Sequence, residues 1–308
     1  MLLLQQCSCW LTEFAGQCAQ AELEFVAMSR ASPLFRFTTA IVRDIHPQLP
    51  TRALRQNTTG PDVCLQTALR QHALYEQALQ RCGLEVHRIA TTKCDSPDAV
   101  FVEDTAVFIQ HLEEILITNP GAVARRSEVS AMEGLLLHRY GNVYSSMDPK
   151  GDATLDGGDV LFTGREYIVG VGSRTNTKGM LQLAAAVANS PHRVVPVDIS
   201  GWPSLHLKSF CSVIGDAHVL VGGLEGERLQ DTLEKTSPMT YKFSRVPDSA
   251  AANVLLVNGT IIRRSDDEFP ASASFFSGLL DAEHLQLDMS ELQKVDGALT
   301  CCSVLFRQ

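Results

Sequence analysis

The chain has 308 residues, 45% of them apolar, enough to bury a substantial core as one large domain or two ordinary ones. Its net charge of -9 and its lack of any basic run make nucleic acid a poor partner, because phosphate binding needs clustered positive charge. Nine cysteines, an odd number with no C-x-x-C pair, argue against a disulfide framework and against a structural zinc knuckle; reduced thiols in the cytoplasm are the expectation.

Met1-Leu-Leu-Leu4 is too short for the apolar core of a signal peptide, and no basic residue precedes it. Residues 1–27 read as an extension, disordered or helical, ahead of a single domain over 28–308, with Met28 as an alternative start. No stretch reaches the length that spans a bilayer, so no membrane partner is expected.

Beyond the extension one order repeats: strand, turn, strand, helix, strand. Phe37 to Val42 reads as a strand, followed by a helix over Pro61 to Cys82 and a strand at Leu84 to Val86. Thr105 to Ile109 and Ile115 to Thr118 flank the turn His111-Leu-Glu-Glu114. Ser127 then caps a helix through His138, and Gly141 stops it ahead of a strand from Asn142 to Tyr144. Val160 to Phe162 and Tyr167 to Val169 flank Thr163-Gly-Arg-Glu166, before a helix from Thr177 to Val187 and a strand at Arg193 to Val195. Phe210 to Ile214 and His218 to Val221 follow, with a helix over Glu225 to Glu234 and a strand at Tyr241 to Phe243. Asn253 to Val257 and Thr260 to Ile262 flank Asn258-Gly259, the strongest hairpin signal in the chain, before a helix from Ala271 to Leu280 and a strand at Leu285 to Leu287. Cys301 to Phe306 has no partner after it, and Phe37 to Val42 has none before it. Pairing the two supplies a fifth hairpin and closes a ring, which removes exposed sheet edges. The expected fold class is α/β, a ring of five ββαβ units, with an open mixed sheet as the alternative.

Each unit's first strand is preceded or entered by polar residues: Glu103-Asp104, Asp156 with Gly157-Gly158, His206, Asp248 and Cys301. Equivalent positions in a ring lie at one end of its axis, so these groups converge on one cavity. Taken singly, Asp104 and Asp156 read more readily as turn residues and His206 as a satisfied surface or core group. Cys301 alone is a small buried hydrophobe, and Arg125, Arg126 and Arg174 are solvated loop charges. Their shared place in the repeat is what joins them. A thiol of pKa about 8.5 needs a neighbouring imidazole at neutral pH, and a carboxylate fixes the imidazole's tautomer. Two further acids suit a cationic substrate, and a guanidinium pairs bidentately with a carboxylate. With no P-loop and no G-x-G-x-x-G motif, a nucleotide cofactor is unsupported.

At Phe101-Val-Glu-Asp104, Leu155-Asp-Gly-Gly-Asp-Val-Leu-Phe-Thr-Gly-Arg165, Arg174-Thr-Asn176, His206-Leu-Lys-Ser-Phe-Cys211, Ser290-Glu-Leu-Gln-Lys-Val-Asp-Gly297 and Cys301-Cys-Ser-Val-Leu305, the sequence closely resembles the dimethylarginine dimethylaminohydrolases. The resemblance runs from about Ser32 to Phe306 and is to the catalytically competent animal type. It implies a five-bladed α/β propeller, the fold shared with arginine deiminases and amidinotransferases. It implies hydrolysis of asymmetric dimethylarginine or monomethylarginine to citrulline and a methylamine, and with it relief of nitric oxide synthase inhibition. Cys301 is then the nucleophile that carries a covalent S-alkylthiouronium, His206 the acid and base, and Asp156 the group that orients His206. Cys302 would point to the opposite face of the strand.

By the same resemblance Asp104 and Glu103 line the guanidinium pocket, Arg125 and Arg174 bind the substrate carboxylate, and Asp98 takes the α-ammonium. The carbonyls of Leu54 and Val295 lie beside it, with Asp296, and Leu54 belongs to a covering loop over Thr51 to Pro61. No cofactor or metal is required; Cys301 next to an imidazole is a candidate for reversible zinc inhibition. The implied partner is a methylated L-arginine, bound by a monomer or homodimer. Two stretches depart from the family: residues 1–27, and Gly201-Trp-Pro-Ser204, which is longer than the family pattern and bears on the His206 loop. Arginine or agmatine deimination is the competing activity. A non-catalytic regulatory propeller would have lost its nucleophile or pocket acid, whereas Cys301, His206, Asp156 and Asp104 are all present.

Overall fold

The computed structural model describes residues 32–92, 95–141, 144–279 and 282–308. The extension expected over 1–27, the strand start expected at Asn142 and the helix end expected at Leu280 lie outside the described residues. The strands form five three-stranded sheets in a mixed α/β fold. In one, β1 (Thr39–Arg43) lies between β2 (Glu85–Ile89), to which it is parallel, and β15 (Val304–Phe306), to which it is antiparallel. The other sheets are β3 (Ala106–Ile109), β4 (Glu114–Ile117) and β5 (Tyr144–Ser146); β6 (Val160–Phe162), β7 (Glu166–Val171) and β8 (Arg193–Asp198); β9 (Cys211–Gly215), β10 (His218–Gly222) and β11 (Lys242–Val246); and β12 (Leu255–Val257), β13 (Thr260–Arg264) and β14 (Glu283–Leu287). Each repeats the same arrangement, an antiparallel hairpin followed by a third strand parallel to the second. The register Thr39↔Phe306 to Ile41↔Val304 is the pairing of first and last strands that the unpaired ends called for.

A parallel pair needs a crossover, and a helix supplies each one: α1 (Leu65–Arg81), α2 (Val129–Tyr140), α3 (Thr177–Ala186), α4 (Gly223–Thr236) and α5 (Pro270–Ser277). Hydrophobic patterning places the layers. The middle strands β1, β10 and β13 are buried at every residue, as strands covered on both faces are. The third strands β2, β8 and β14 alternate between buried and exposed positions, so one face meets solvent. On α1 the buried residues Ala68, His72, Tyr75 and Leu79 recur at helical spacing and form the stripe that faces the sheets. Among the described residues no helix is long and apolar enough to cross a membrane.

Two local expectations change. Ser127 lies in a 3-10 turn, Val123–Glu128, and it is Glu128 that precedes α2, without a side-chain cap. Cys301 does not lie in a strand: Thr300–Cys302 is a 3-10 turn and β15 starts at Val304. Strand alternation therefore does not separate Cys301 from Cys302; the turn does, leaving Cys302 fully buried. Matching turns at Val102–Thr105, Gly157–Asp159, Leu207–Ser209 and Ser249–Ala252 stand just ahead of β3, β6, β9 and β12. The turn at 102–105 touches those at 157–159 and 300–302, the turn at 157–159 touches 207–209, and that one touches 249–252.

Candidate active site

These turns set the side chains. Asp156 and His206 are the residues just before Gly157–Asp159 and Leu207–Ser209; Asp104 lies within Val102–Thr105, and Cys301 is the middle residue of its turn. Asp104, His206 and Cys301 line one cleft, together with Asp98, Arg125, Arg174, Leu54, Val295 and Asp296. Asp156 is fully buried, with its Oδ2 2.8 Å from His206 Nε2 and its Oδ1 accepting the Gly121 N–H at 2.8 Å. Two glycines permit this approach. A Cβ on Gly157 would fall 2.0 Å from the Glu103 carbonyl oxygen, and one on Gly158 would fall 2.9 Å from both Asp104 Oδ1 and His206 Cγ. The Gly158 N–H donates to Asp104 Oδ1 at 3.0 Å.

Burial opposes a charge on His206, but Asp104, Asp159 and Asp156 outweigh it and raise the imidazole to about 9. Burial likewise works against an ionised Asp104, yet His206, Arg125 and the Gly158 N–H hold that carboxyl down at about 2. For Cys301 nothing outweighs burial, and the carboxylates of Glu103 and Asp104 push its thiol up further. The surroundings thus favour the imidazolium at His206 and disfavour the thiolate at Cys301. A cation bound against Asp104 would offset the carboxylates and favour the thiolate.

Arg125 is buried and heavily engaged. Its Nε donates to Glu128 at 3.0 Å, Nη1 to Asp104 Oδ2 at 2.5 Å, and Nη2 to the Phe101 carbonyl at 2.7 Å and Glu128 Oε2 at 2.8 Å. One Nη1–H is left for a ligand. Arg125 is therefore first of all a clamp on Asp104. Arg174 differs: its nearest acid contact is Asp156 Oδ2 at 3.9 Å, and its buried Nη1 has no hydrogen-bond partner among the described residues.

The covering loop is tied across the cleft. The Leu54 N–H donates to Asp98 Oδ1 at 3.0 Å and Oδ2 at 3.2 Å, and the Gln56 N–H donates to Asp296 Oδ2 at 2.6 Å. Burial raises Asp98 to about 6, against the pull of Arg125 and the Leu54 N–H. The long stretch before His206 joins this cover: the Pro203 carbonyl accepts Gln56 Nε2 at 3.2 Å, while Ser204 is anchored to Glu225 by its N–H and hydroxyl, both at 2.8 Å.

Two residues fall elsewhere. Glu103 does not line this cleft; its carboxylate accepts Lys208 Nζ at 2.5 Å and Thr300 Oγ1 at 3.0 Å, on the other side of the turn. Successive residues of a 3-10 turn point about 120° apart, so neighbours Glu103 and Asp104 diverge. Asp248 receives the Ser272 hydroxyl at 2.7 Å, away from the cleft. Sequence reasoning missed Asp159, which sits fully buried behind His206 and accepts Thr175 Oγ1 at 2.6 Å and the Leu207 N–H at 3.0 Å. The repeated acid in Asp156-Gly-Gly-Asp159 was its one signal.

The described side chains whose ligand atoms lie within 4.8 Å of one another are Asp104, Asp156 and His206. The Cys301 sulfur is not in that group, and Asp104 and Asp156 already hold Arg125 and the Gly121 N–H. The inhibitory zinc expected on Cys301 finds no three-ligand set among the described residues.

The family model for arginine deiminase matches residues 93–224. The N(G),N(G)-dimethylarginine dimethylaminohydrolase of Streptomyces coelicolor is 34% identical over 241 residues, covering 78% of this chain and 86% of that one. The enzyme of that name from Pseudomonas aeruginosa is 27% identical over 271 residues, covering 86% and 99%. A solved structure of a P. aeruginosa cysteine-to-serine variant complexed with citrulline superposes with a TM-score of 0.75 at 25% identity, covering 88% of this chain and all of that one. Overall fold and sequence likeness along most of both chains agree, and on that ground this chain belongs to the dimethylarginine dimethylaminohydrolase family.

Proposed function

We propose that the chain hydrolyses asymmetric dimethylarginine and monomethylarginine to citrulline and dimethylamine or methylamine. The observation that carries this reading is the single cleft shared by Cys301, His206, Asp104 and Arg174. Asp104, held by Arg125, pairs with the guanidinium and aligns its carbon with the sulfur. The substrate's charge favours loss of the thiol proton to solvent. The thiolate forms an S–C bond to the guanidinium carbon, and the tetrahedral adduct breaks its bond to the methylated nitrogen, which leaves as an amine carrying the His206 proton. Neutral His206, oriented by Asp156, then takes a proton from water as the water oxygen bonds to the thiouronium carbon. The S–C bond breaks to give citrulline, and the remaining proton returns to sulfur. Such turnover removes inhibitors of nitric oxide synthase. No cofactor enters these steps.

At the amino-acid end Arg174, with its unpartnered Nη1, is the first choice for the carboxylate and the remaining Nη1–H of Arg125 the second. Asp98, the Leu54 and Val295 carbonyls and Asp296 face the α-ammonium. The same reading takes residues 28–308 as one five-bladed α/β propeller with the five turns around its axis; the touching turns and the β1–β15 pairing support it.

Parallel turnover of dimethylarginine, arginine and agmatine tests the assignment, and the arginine deiminase match makes arginine the competitor to beat. Cys301→Ser should abolish turnover with the fold intact, since a neutral hydroxyl is the weaker nucleophile. His206→Ala should trap a mass-detectable adduct that does not turn over. A best rate on plain arginine, or full activity in the serine variant, would refute the reading.

A further inference from the structure

We infer that Asn253 is a positioning residue for Cys301, one that touches no substrate and acts through Thr300. Asn253 is completely buried and follows the turn Ser249–Ala252, the one turn of the five that brings no reactive group to the cleft. Its side chain joins the two turns that matter most. Nδ2 donates to the Lys208 carbonyl at 2.7 Å and to Thr300 Oγ1 at 3.0 Å, while Oδ1 accepts the Thr300 N–H at 3.1 Å. Thr300 immediately precedes Cys301, and Lys208 lies two residues after His206. One planar amide therefore fixes the backbone carrying the nucleophile against the backbone carrying the acid and base.

The network continues without a gap. Thr300 Oγ1 donates to Glu103 Oε2 at 3.0 Å, and Lys208 Nζ donates to Glu103 Oε1 at 2.5 Å, so the residue next to Asp104 is tied to the same point. Only an amide meets the demand at position 253. It offers both Nδ2 donors and the Oδ1 acceptor in one plane. Aspartate would keep the Thr300 N–H bond, lose both donors, and set a second carboxylate beside Glu103. Because Asn253 does not line the cleft, its loss should alter how the thiol is aimed and leave substrate binding alone; misplacement of a reacting group by about 1 Å is worth about 100-fold in rate.

The inference rests on the proposed hydrolysis for its kinetic readout, and alkylation of Cys301 by iodoacetamide, followed by mass spectrometry, gives a readout that does not. Asn253→Asp and Thr300→Val should each lower kcat at least tenfold with KM within twofold, and should change the rate and pH profile of Cys301 alkylation. Thr300→Ser, which keeps the hydroxyl, should restore both. Ser272→Ala is the control. It breaks a part-buried side-chain bond to Asp248 at the same turn, on a side that does not lead to Cys301, and should leave kcat and alkylation unchanged. If Asn253→Asp fails to fold, Thr300→Val alone decides. Wild-type kcat and alkylation in Thr300→Val, a loss confined to KM, or an equal loss in Ser272→Ala would each overturn the inference. If the wild-type chain turns over no methylarginine, the hydrolase reading falls, while alkylation still tests the positioning.

Discussion

Replacing Asp159 with asparagine should make the protein more stable at pH 8 while narrowing the pH range over which it works. The carboxyl is fully buried, and burial, with some help from Asp156, raises it to about 6 against the pull of His206, Thr175 and the Leu207 N–H. At 1.36 kcal/mol per pH unit, keeping it ionised costs the native state ~3 kcal/mol. Because the folded value lies above the unfolded one, this residue's contribution is full below about pH 4 and is lost as pH rises through about 6. Asparagine keeps the shape and can still accept the Leu207 N–H, but disturbs the bond from Thr175, a loss of about 1 kcal/mol. The net gain is ~2 kcal/mol above pH 6, shrinking toward pH 4. Urea denaturation at pH 5 and pH 8 measures it. The same change removes one of three carboxylates that sustain the His206 imidazolium, so the alkaline fall of kcat should move below pH 9. A variant less stable than wild type at pH 8, or an unmoved alkaline limb, would refute the view that desolvation dominates at Asp159 and that its field acts on His206.

Three further substitutions test other parts. Arg125→Lys leaves Asp104, Glu128 and the Phe101 carbonyl sharing one ammonium, and should cost ~3–5 kcal/mol in denaturant unfolding; a loss under 1 kcal/mol would deny the clamp. Gly158→Ala puts a methyl into Asp104 and His206 and should lower kcat about 100-fold, with near-normal kcat as the contrary result. Asp98, raised to about 6, should hold the Leu54 loop by its charge above that pH and weaken as it protonates below it. KM should accordingly rise as pH falls through 6 in the wild type but stay flat in Asp98→Asn, and parallel pH profiles would count against the latch.

Much of the fold was legible because its signals are periodic. Outer strands such as Glu85–Ile89 and Arg193–Asp198 alternate, and Asn258-Gly259 marks its hairpin, with Asn258 at φ 53° and Gly259 at φ 93°. The shared place of Asp104, Asp156, His206 and Cys301 followed from counting units, a property of the whole chain. What stayed hidden was local. Short 3-10 turns carry neither a period of two nor one of 3.6, so the sequence pattern runs Cys301 into the strand that follows it and groups Glu103 with its neighbour. Taken singly Arg125 reads as a solvated loop charge, and by resemblance as a carboxylate binder; its hold on Asp104, Glu128 and the Phe101 carbonyl shows only once the turns are folded. Asn253 read as an ordinary strand start.

The pairing of Val304–Phe306 with Thr39–Ile41 has a bearing on biosynthesis. Among the described strand pairs this junction has the longest separation along the polymer, so it is the slowest kind of contact to form and should come late in folding. The sulfur is carried on the segment that makes it. A nascent polypeptide emerging from the ribosome would therefore carry its histidine and acids on turns ahead of sheets that can assemble early, while the proposed centre stays incomplete until that junction zips. Chemical competence and structural completion would arrive in one event, and a truncated or stalled product would be inert.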